Sequence, residues 1–170
     1  MEEKIVFRVK QIVNENDYVA FAKKLKSVKT SMVIYLIMSV LMFSNAGIMV
    51  YIGKIIEAIV FAAIALIILL LMFFYPSIIG ANLFKNYSKL HNARSISGDI
   101  IFSENQIHDI SNNSRMTFQY YQFEKIIETK KYFFLMITKS SGIILKKECF
   151  VNGSADEFKA YFISQTHLKK

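Results

Sequence analysis

The chain predicts an α+β membrane protein: a two-helix transmembrane hairpin joined to a cytoplasmic antiparallel sheet that a C-terminal helix closes. Three observations carry this. Thr30–Gly53 and Ala58–Phe84, runs of 24 and 27 residues, contain no charged side chain. From Asp99 onward the apolar residues recur with a period of two, the period of a half-buried strand. After Asn152-Gly153 they return to helical spacing.

Composition excludes several classes. The 170 residues are 54% hydrophobic, with Lys+Arg 21 against Asp+Glu 13 and a net charge of +8. That apolar fraction rules out intrinsic disorder, and one Pro with six Gly rules out a collagenous or Pro/Gly-rich chain. A lone cysteine, Cys149, rules out an internal disulfide framework.

Residues 1–29 predict a strand followed by a basic amphipathic helix. Ile5, Phe7 and Val9 alternate with Lys4, Val6, Arg8 and Lys10. Asn14 or Asn16 supplies a side-chain cap. Tyr18, Phe21, Ala22, Leu25 and Val28 then follow helical spacing, and this helix is expected to run straight into the first span.

Residues 30–79 predict the hairpin, with spans at about 31–52 and 56–76. About 20 apolar residues suffice to cross a hydrocarbon core of about 30 Å. Twelve Ile, Leu, Val or Phe lie between Ala58 and Tyr75, and at about 0.3 to 0.6 kcal/mol each they favour insertion by several kcal/mol. A soluble domain of this size has too little remaining chain to enclose both helices, and the polar stretch ahead of the first run argues against a cleaved signal peptide. The short connection, Gly53–Ile56, makes the spans antiparallel. Lys23, Lys24, Lys26 and Lys29 precede the first span and Lys85, Lys89 and Arg94 follow the second, whereas the connection offers Lys54 alone. Positive residues stay cytoplasmic, so both termini are expected there. Segment charges of +3 for 1–29, zero for 30–84 and +5 for 85–170 put the whole +8 beside an anionic leaflet. Lys23, Lys24, Lys26, Lys29, Lys85 and Lys89 are accordingly the membrane-surface candidates. Their clustering beside the spans, with no recognition helix, speaks against nucleic acid.

Small residues mark where membrane helices approach. Ala58, Ala62 and Ala65 line one face of the second span, and folding about Lys54 sets Ser44 and Gly47 opposite them. Asn45 bonds across this contact, to another copy of the chain or, with Ser44, to its own helix backbone. No ionisable group lies in the middle of either span, so an ion or proton pathway has no support.

Pro76 is expected to kink the second helix without ending it, and Ile79, Leu83, Tyr87 and Leu90 continue the stripe as a juxtamembrane helix over 80–95. The region 96–170 predicts strands at about Asp99–Phe102, Gln106–Ile110, Arg115–Tyr120, Glu124–Glu128, Tyr132–Thr138 and Ile143–Lys147. Turns fall at Ser103–Asn105, Asn112-Asn113, Lys130-Lys131 and Ser140–Gly142. Ser154 and Glu157 form a capping box that opens a helix over 155–167, with Phe158 and Phe162 on one face. Six strands, a seventh from residues 4–10 and a closing helix resemble a pleckstrin-homology-like barrel split in sequence by the hairpin.

An ordered series of segments is familiar: Phe74-Tyr75-Pro76, Lys85 and Leu90, Ile101–Ile107, Phe123–Thr129, Tyr132–Leu135 and Ile144–Phe150. Over about residues 74–163 it resembles the YcxB-like family of small bacterial membrane proteins, in which two adjacent spans precede a cytoplasmic domain. Lys146–Phe150 departs from the proline-containing pattern expected there. The resemblance implies the bacterial cytoplasmic membrane and supplies no catalytic residues.

Chemistry-bearing groups are sparse. His91, His108 and His167 have no metal-ligand spacing with Cys149. His108 and Asp109 are strand neighbours and point to opposite faces. Cys149 reads as a small apolar residue, and Ser140 and Ser141 as turn residues. The expected function is therefore non-enzymatic, without metal or cofactor: an anchored binding module whose partners are the bilayer, anionic lipid head groups and a protein or peptide. The alternative is a membrane-embedded assembly component, either a homo-oligomer or an accessory subunit of a larger transport or regulatory complex.

Overall fold

The computed structural model describes residues 4–91, 96–111 and 114–166. The first strand, β1 (Ile5–Val13), leads into α1 (Glu15–Ala22), α2 (Lys26–Tyr51) and α3 (Ile55–His91). Seven further strands follow: β2 (Ile96–Ser103), β3 (Gln106–Ser111), β4 (Ser114–Gln119), β5 (Lys125–Glu128), β6 (Tyr132–Met136), β7 (Gly142–Lys146) and β8 (Phe150–Asn152). Helix α4 (Ala155–Thr166) closes the described chain. Asn112-Asn113 and His167 lie outside the described residues, as does Arg94.

The strands form two antiparallel sheets, β4-β3-β2-β1-β8 and β5-β6-β7. The N-terminal strand is no appendage. It lies between β2 and β8, with Val9 opposite Ile100 on one side and Phe150 on the other. Strand β8, three residues long, was not expected, nor was the division into two sheets. The division falls where the 3-10 turn Tyr120–Gln122 interrupts the period-two pattern after β4.

The expected helix into the first span is instead two helices. Asn14 caps α1 as predicted: its side chain accepts from Asp17 N–H while the Asp17 carboxylate accepts from Asn14 N–H. The helix stops at Ala22, and Leu25 is extended (φ −63°, ψ 134°) before α2 begins. The break turns Leu25 and Val28 into a common core with Phe21, which a continuous helix would have placed along one diverging stripe. Helix α3 runs through Pro76 to His91, 37 residues and about 55 Å at 1.5 Å per residue.

Two apolar cores result. In the first, Phe158 and Phe162 of α4 enter between the sheets against Phe7, Phe102, Tyr120, Phe123 and Phe133. Ring centroids lie 4.7 Å apart for Phe102–Phe158 and 5.4 Å for Phe123–Phe162, both in edge-to-face geometry. Gly153 (φ 72°) turns the chain into α4, where a Cβ would come within 2.4 Å of the Phe7 ring. The Ser154–Glu157 capping box is present as the sequence predicts. In the second core, Phe134, Met136 and Ile144 pack against Val13, Phe21, Leu25 and Val28. Strand β6 belongs to both cores. Phe133 and Leu135 face the first, Phe134 and Met136 the second, and all four are buried.

Candidate functional site

Helices α2 and α3 are long and apolar enough to cross a membrane, and only 11% of each apolar window is buried. A core helix of a soluble domain would be mostly covered. What is covered on α2 is one stripe: Met32, Tyr35, Ser39, Met42, Ala46 and Met49 are buried or half-buried, while the other residues from Val33 to Val50 are exposed. Their alternating spacing of three and four is that of a left-handed coiled coil. On α3, Ala58 and Ala65 are buried and Ala62 half-buried. Ser44 and Gly47 are a correction: both are exposed, and a Cβ on Gly47 would meet nothing within 4 Å. Val28 and Met32, held in or against the second core, set the phase of α2, and three-four spacing from there brings Ser39 and Ala46 into the seam. Ser44 and Asn45 satisfy themselves, donating to Val40 O at 2.9 Å and Leu41 O at 2.8 Å.

Gly80 is a contact residue that the sequence reading missed. A Cβ there would lie 2.5 Å from Val19 Cα. The absent side chain lets α1 lie directly on α3, with the Tyr18 ring tilted against Phe84 (5.6 Å) and Tyr87 (6.0 Å). Its one sequence signal is a glycine within an otherwise helical apolar run, which by itself reads as a weak spot.

Asp17 fastens α1 to the sheet. Only 3% exposed, its carboxylate accepts from Asn14 N–H and Tyr132 OH at 2.8 Å each and meets Lys146 Nζ at 2.8 Å. Burial, reinforced by this carboxylate, pushes the Tyr132 phenol up to about 12. Gln11 fastens the two sheets to each other: its side-chain amide donates to Ile144 O at 2.5 Å and accepts from Lys146 N–H at 2.8 Å. At the far end Glu128 receives Lys147 and Lys159, which hold its carboxyl below the usual range and tie β5 to α4.

Lys23 and Lys24 end α1 on the rim of a groove of about 560 Å³. The β5–β6 turn with Lys130 and Lys131 lines it from the sheet, and Val19 and Ala20 line it above the buried Phe134, beside Asn16, Thr129 and Tyr132. Among the described residues no acidic side chain lines it. Lys26 and Lys29 are exposed on the first turn of α2; Lys85 and Lys89 are exposed near the end of α3, away from the groove. The sequence reading had Lys130-Lys131 as a turn and did not connect it to the membrane-surface lysines, because the pairing depends on the fold of α1 across β6.

The remaining polar groups divide between the two faces of β3. His108 Nδ1 lies 3.0 Å from Thr117 Oγ1. Asp109, on the other face, lines a cavity of about 290 Å³ between the sheets together with Gln11, Tyr18 and Tyr87. Cys149 packs half-buried against the first core, and burial pushes its thiol up. Among the described residues no group of three or more His, Cys, Asp or Glu could hold a metal ion.

No curated protein and no solved structure matches the chain. Residues 102–162, from β2 through the groove's β5–β6 rim into α4, match the family model described as YcxB-like protein. That stretch, bounded by Phe102 and Phe162 of the first core, is thus similar to the YcxB-like family.

Proposed function

We propose that the chain is an integral protein of the bacterial cytoplasmic membrane, with both termini cytoplasmic, that holds a non-catalytic, pleckstrin-homology-like binding module at the inner surface. The observation that carries this reading is the double use of β6. Phe134 and Met136 pack on the bases of the apolar helices while Phe133 and Leu135 pack on α4, so the module is seated on the hairpin, not tethered to it. The exposed apolar surface runs from Val33 to Ile52 and from Ile55 to Ile78, and the exposed lysines Lys26, Lys29, Lys85 and Lys89 lie just beyond it. Tyr35 and Tyr75, rings 5.4 Å apart, lie at that boundary, where aromatic side chains favour the membrane interface. A peptide partner finds its place on β4, the outer strand of the larger sheet, by strand addition.

Cysteine labelling tests it. In a Cys149→Ser background, Lys54→Cys is expected to react with a membrane-impermeant maleimide in intact cells. Lys139→Cys, on the exposed β6–β7 turn, is expected to react only after permeabilisation. The reverse pattern overturns the orientation, and release of the protein by alkaline carbonate overturns insertion.

A further inference from the structure

We propose that the groove between α1 and the β5–β6 turn is a binding site for one anionic phospholipid of the inner leaflet, gripped by Lys23, Lys24, Lys130 and Lys131. The proposal rests on the membrane-anchored reading and names the ligand of its surface.

Four observations converge. The four lysines come from two segments more than 100 residues apart in sequence, yet they line one groove with no carboxylate among its walls. Five lysines elsewhere are paired, Lys146 with Asp17, Lys147 and Lys159 with Glu128, Lys54 with Glu57 and Lys4 with Glu104, while Lys26, Lys29, Lys85 and Lys89 stand exposed outside the groove. Among the described residues none of the four groove lysines has such a partner. Val19 and Ala20 supply apolar lining above the buried Phe134, beside Asn16, Thr129 and Tyr132, which suits the glycerol and upper acyl carbons of an amphiphile better than a free hydrated anion. The groove also lies at the right height. Val19 in its wall rests on Gly80 of α3, just past Ile78, where the exposed apolar surface of that helix stops. Its Lys23–Lys24 end immediately precedes α2.

The rim is rigid. Thr129 Oγ1 accepts from Tyr132 N–H at 3.0 Å and donates to Tyr132 O at 3.1 Å, closing the turn that presents Lys130 and Lys131. On the other side α1 is fixed by Asp17. Two pairs of lysines lining one groove can donate together to the two non-bridging oxygens of a phosphodiester, which lysines scattered over a surface cannot. Each lysine at an anionic surface contributes about a fivefold gain in affinity.

The test uses the full-length protein, delipidated in neutral detergent and titrated with phosphatidylglycerol or phosphatidylcholine, with bound lipid counted by native mass spectrometry. A discrete one-lipid adduct is expected with phosphatidylglycerol at an affinity at least tenfold above that for phosphatidylcholine. Lys130→Gln with Lys131→Gln, on an exposed turn that bears no core contact, is expected to weaken it about 25-fold at an unchanged melting temperature. Lys85→Gln with Lys89→Gln, which removes the same charge outside the groove, is expected to leave it intact. An adduct that survives the first variant, that falls equally in both, or that phosphatidylcholine forms as well overturns the site. Failure of the wild-type protein to enter the membrane fraction overturns the anchored reading itself, a separate result from loss of lipid selectivity in protein that does enter it.

Discussion

The carboxylate of Asp17 lies 2.8 Å from the ammonium of Lys146, the two side chains only 4% and 14% exposed. A capping residue at the third position of α1 and the last residue of β7 thus meet across the second core. A buried pair of this kind contributes little net stability relative to an apolar pair, yet losing one partner strands the other charge.

Asp17→Asn is therefore expected to destabilise the folded chain by about 3 kcal/mol. Asp17→Asn combined with Lys146→Met is expected to recover most of that loss. The check is a double-mutant cycle on melting temperature in detergent, followed by tyrosine fluorescence, since the chain has nine Tyr and no Trp. Additive losses would show that the pair does not couple.

Gln11→Leu keeps the volume of the side chain and removes both bonds from β1 to β7. Ile144 C=O and Lys146 N–H lose their partner in a site where Gln11 is 4% exposed. With two orphaned backbone groups the expected cost is about 2–4 kcal/mol. Hydrogen exchange should localise the damage, with faster exchange in β7 and unchanged protection in β3.

The two glycines inside the long helices should respond with opposite signs. Gly47→Ala adds a methyl to open space and removes a helix-weakening residue, for an expected gain of up to about 1 kcal/mol. Gly80→Ala drives a Cβ into the backbone at Val19 and is expected to lower stability and separate α1 from α3. Melting temperatures of the two variants, measured side by side, check the contrast.

Acid should loosen the molecule through carboxylates held below their usual range, Glu128 by Lys147 and Lys159 and Asp99 by Arg8. A depressed folded-state pKa adds stability that is complete above the unfolded value, about 4, and is lost as pH falls through the lower folded value. Melting temperature is expected to drop below pH 4, less steeply in Glu128→Gln. On the alkaline side Tyr132, pushed up to about 12, contributes stability present below the ordinary phenol value of about 10 and lost as pH climbs through 12.

Much of the architecture was legible because it rests on periodicity and local turn chemistry. The charge-free runs became α2 and α3, Gln106–Ile110 became most of β3, and the caps at Asn14 and Ser154 formed as their side chains require. The losses were all tertiary. Strand β8 has three residues and pairs only because β1 lies beside it. The break at Lys23–Leu25 carries no glycine or proline; the burial of Leu25 imposes it. Gln11 has the inward parity of Phe7, Val9 and Val13, but no local pattern names its partners or those of Asp17, which only the approach of β7 supplies. The groove pairs Lys23-Lys24 with a turn that follows two intervening helices and four intervening strands, a proximity no window along the chain contains.

Strand β6 is one peptide thick, and it is the wall shared by two rooms. Excising the YcxB-like stretch, 102–162, would leave Phe134 and Met136 facing water and would withdraw β1 from the middle of the larger sheet. The hairpin, cut from its sheets, would in turn bare Phe21, Leu25 and Val28. Neither half is a folding unit by this account. The apolar helices and the sheets share one set of packed side chains, so the boundary between them is one of composition and not of structure.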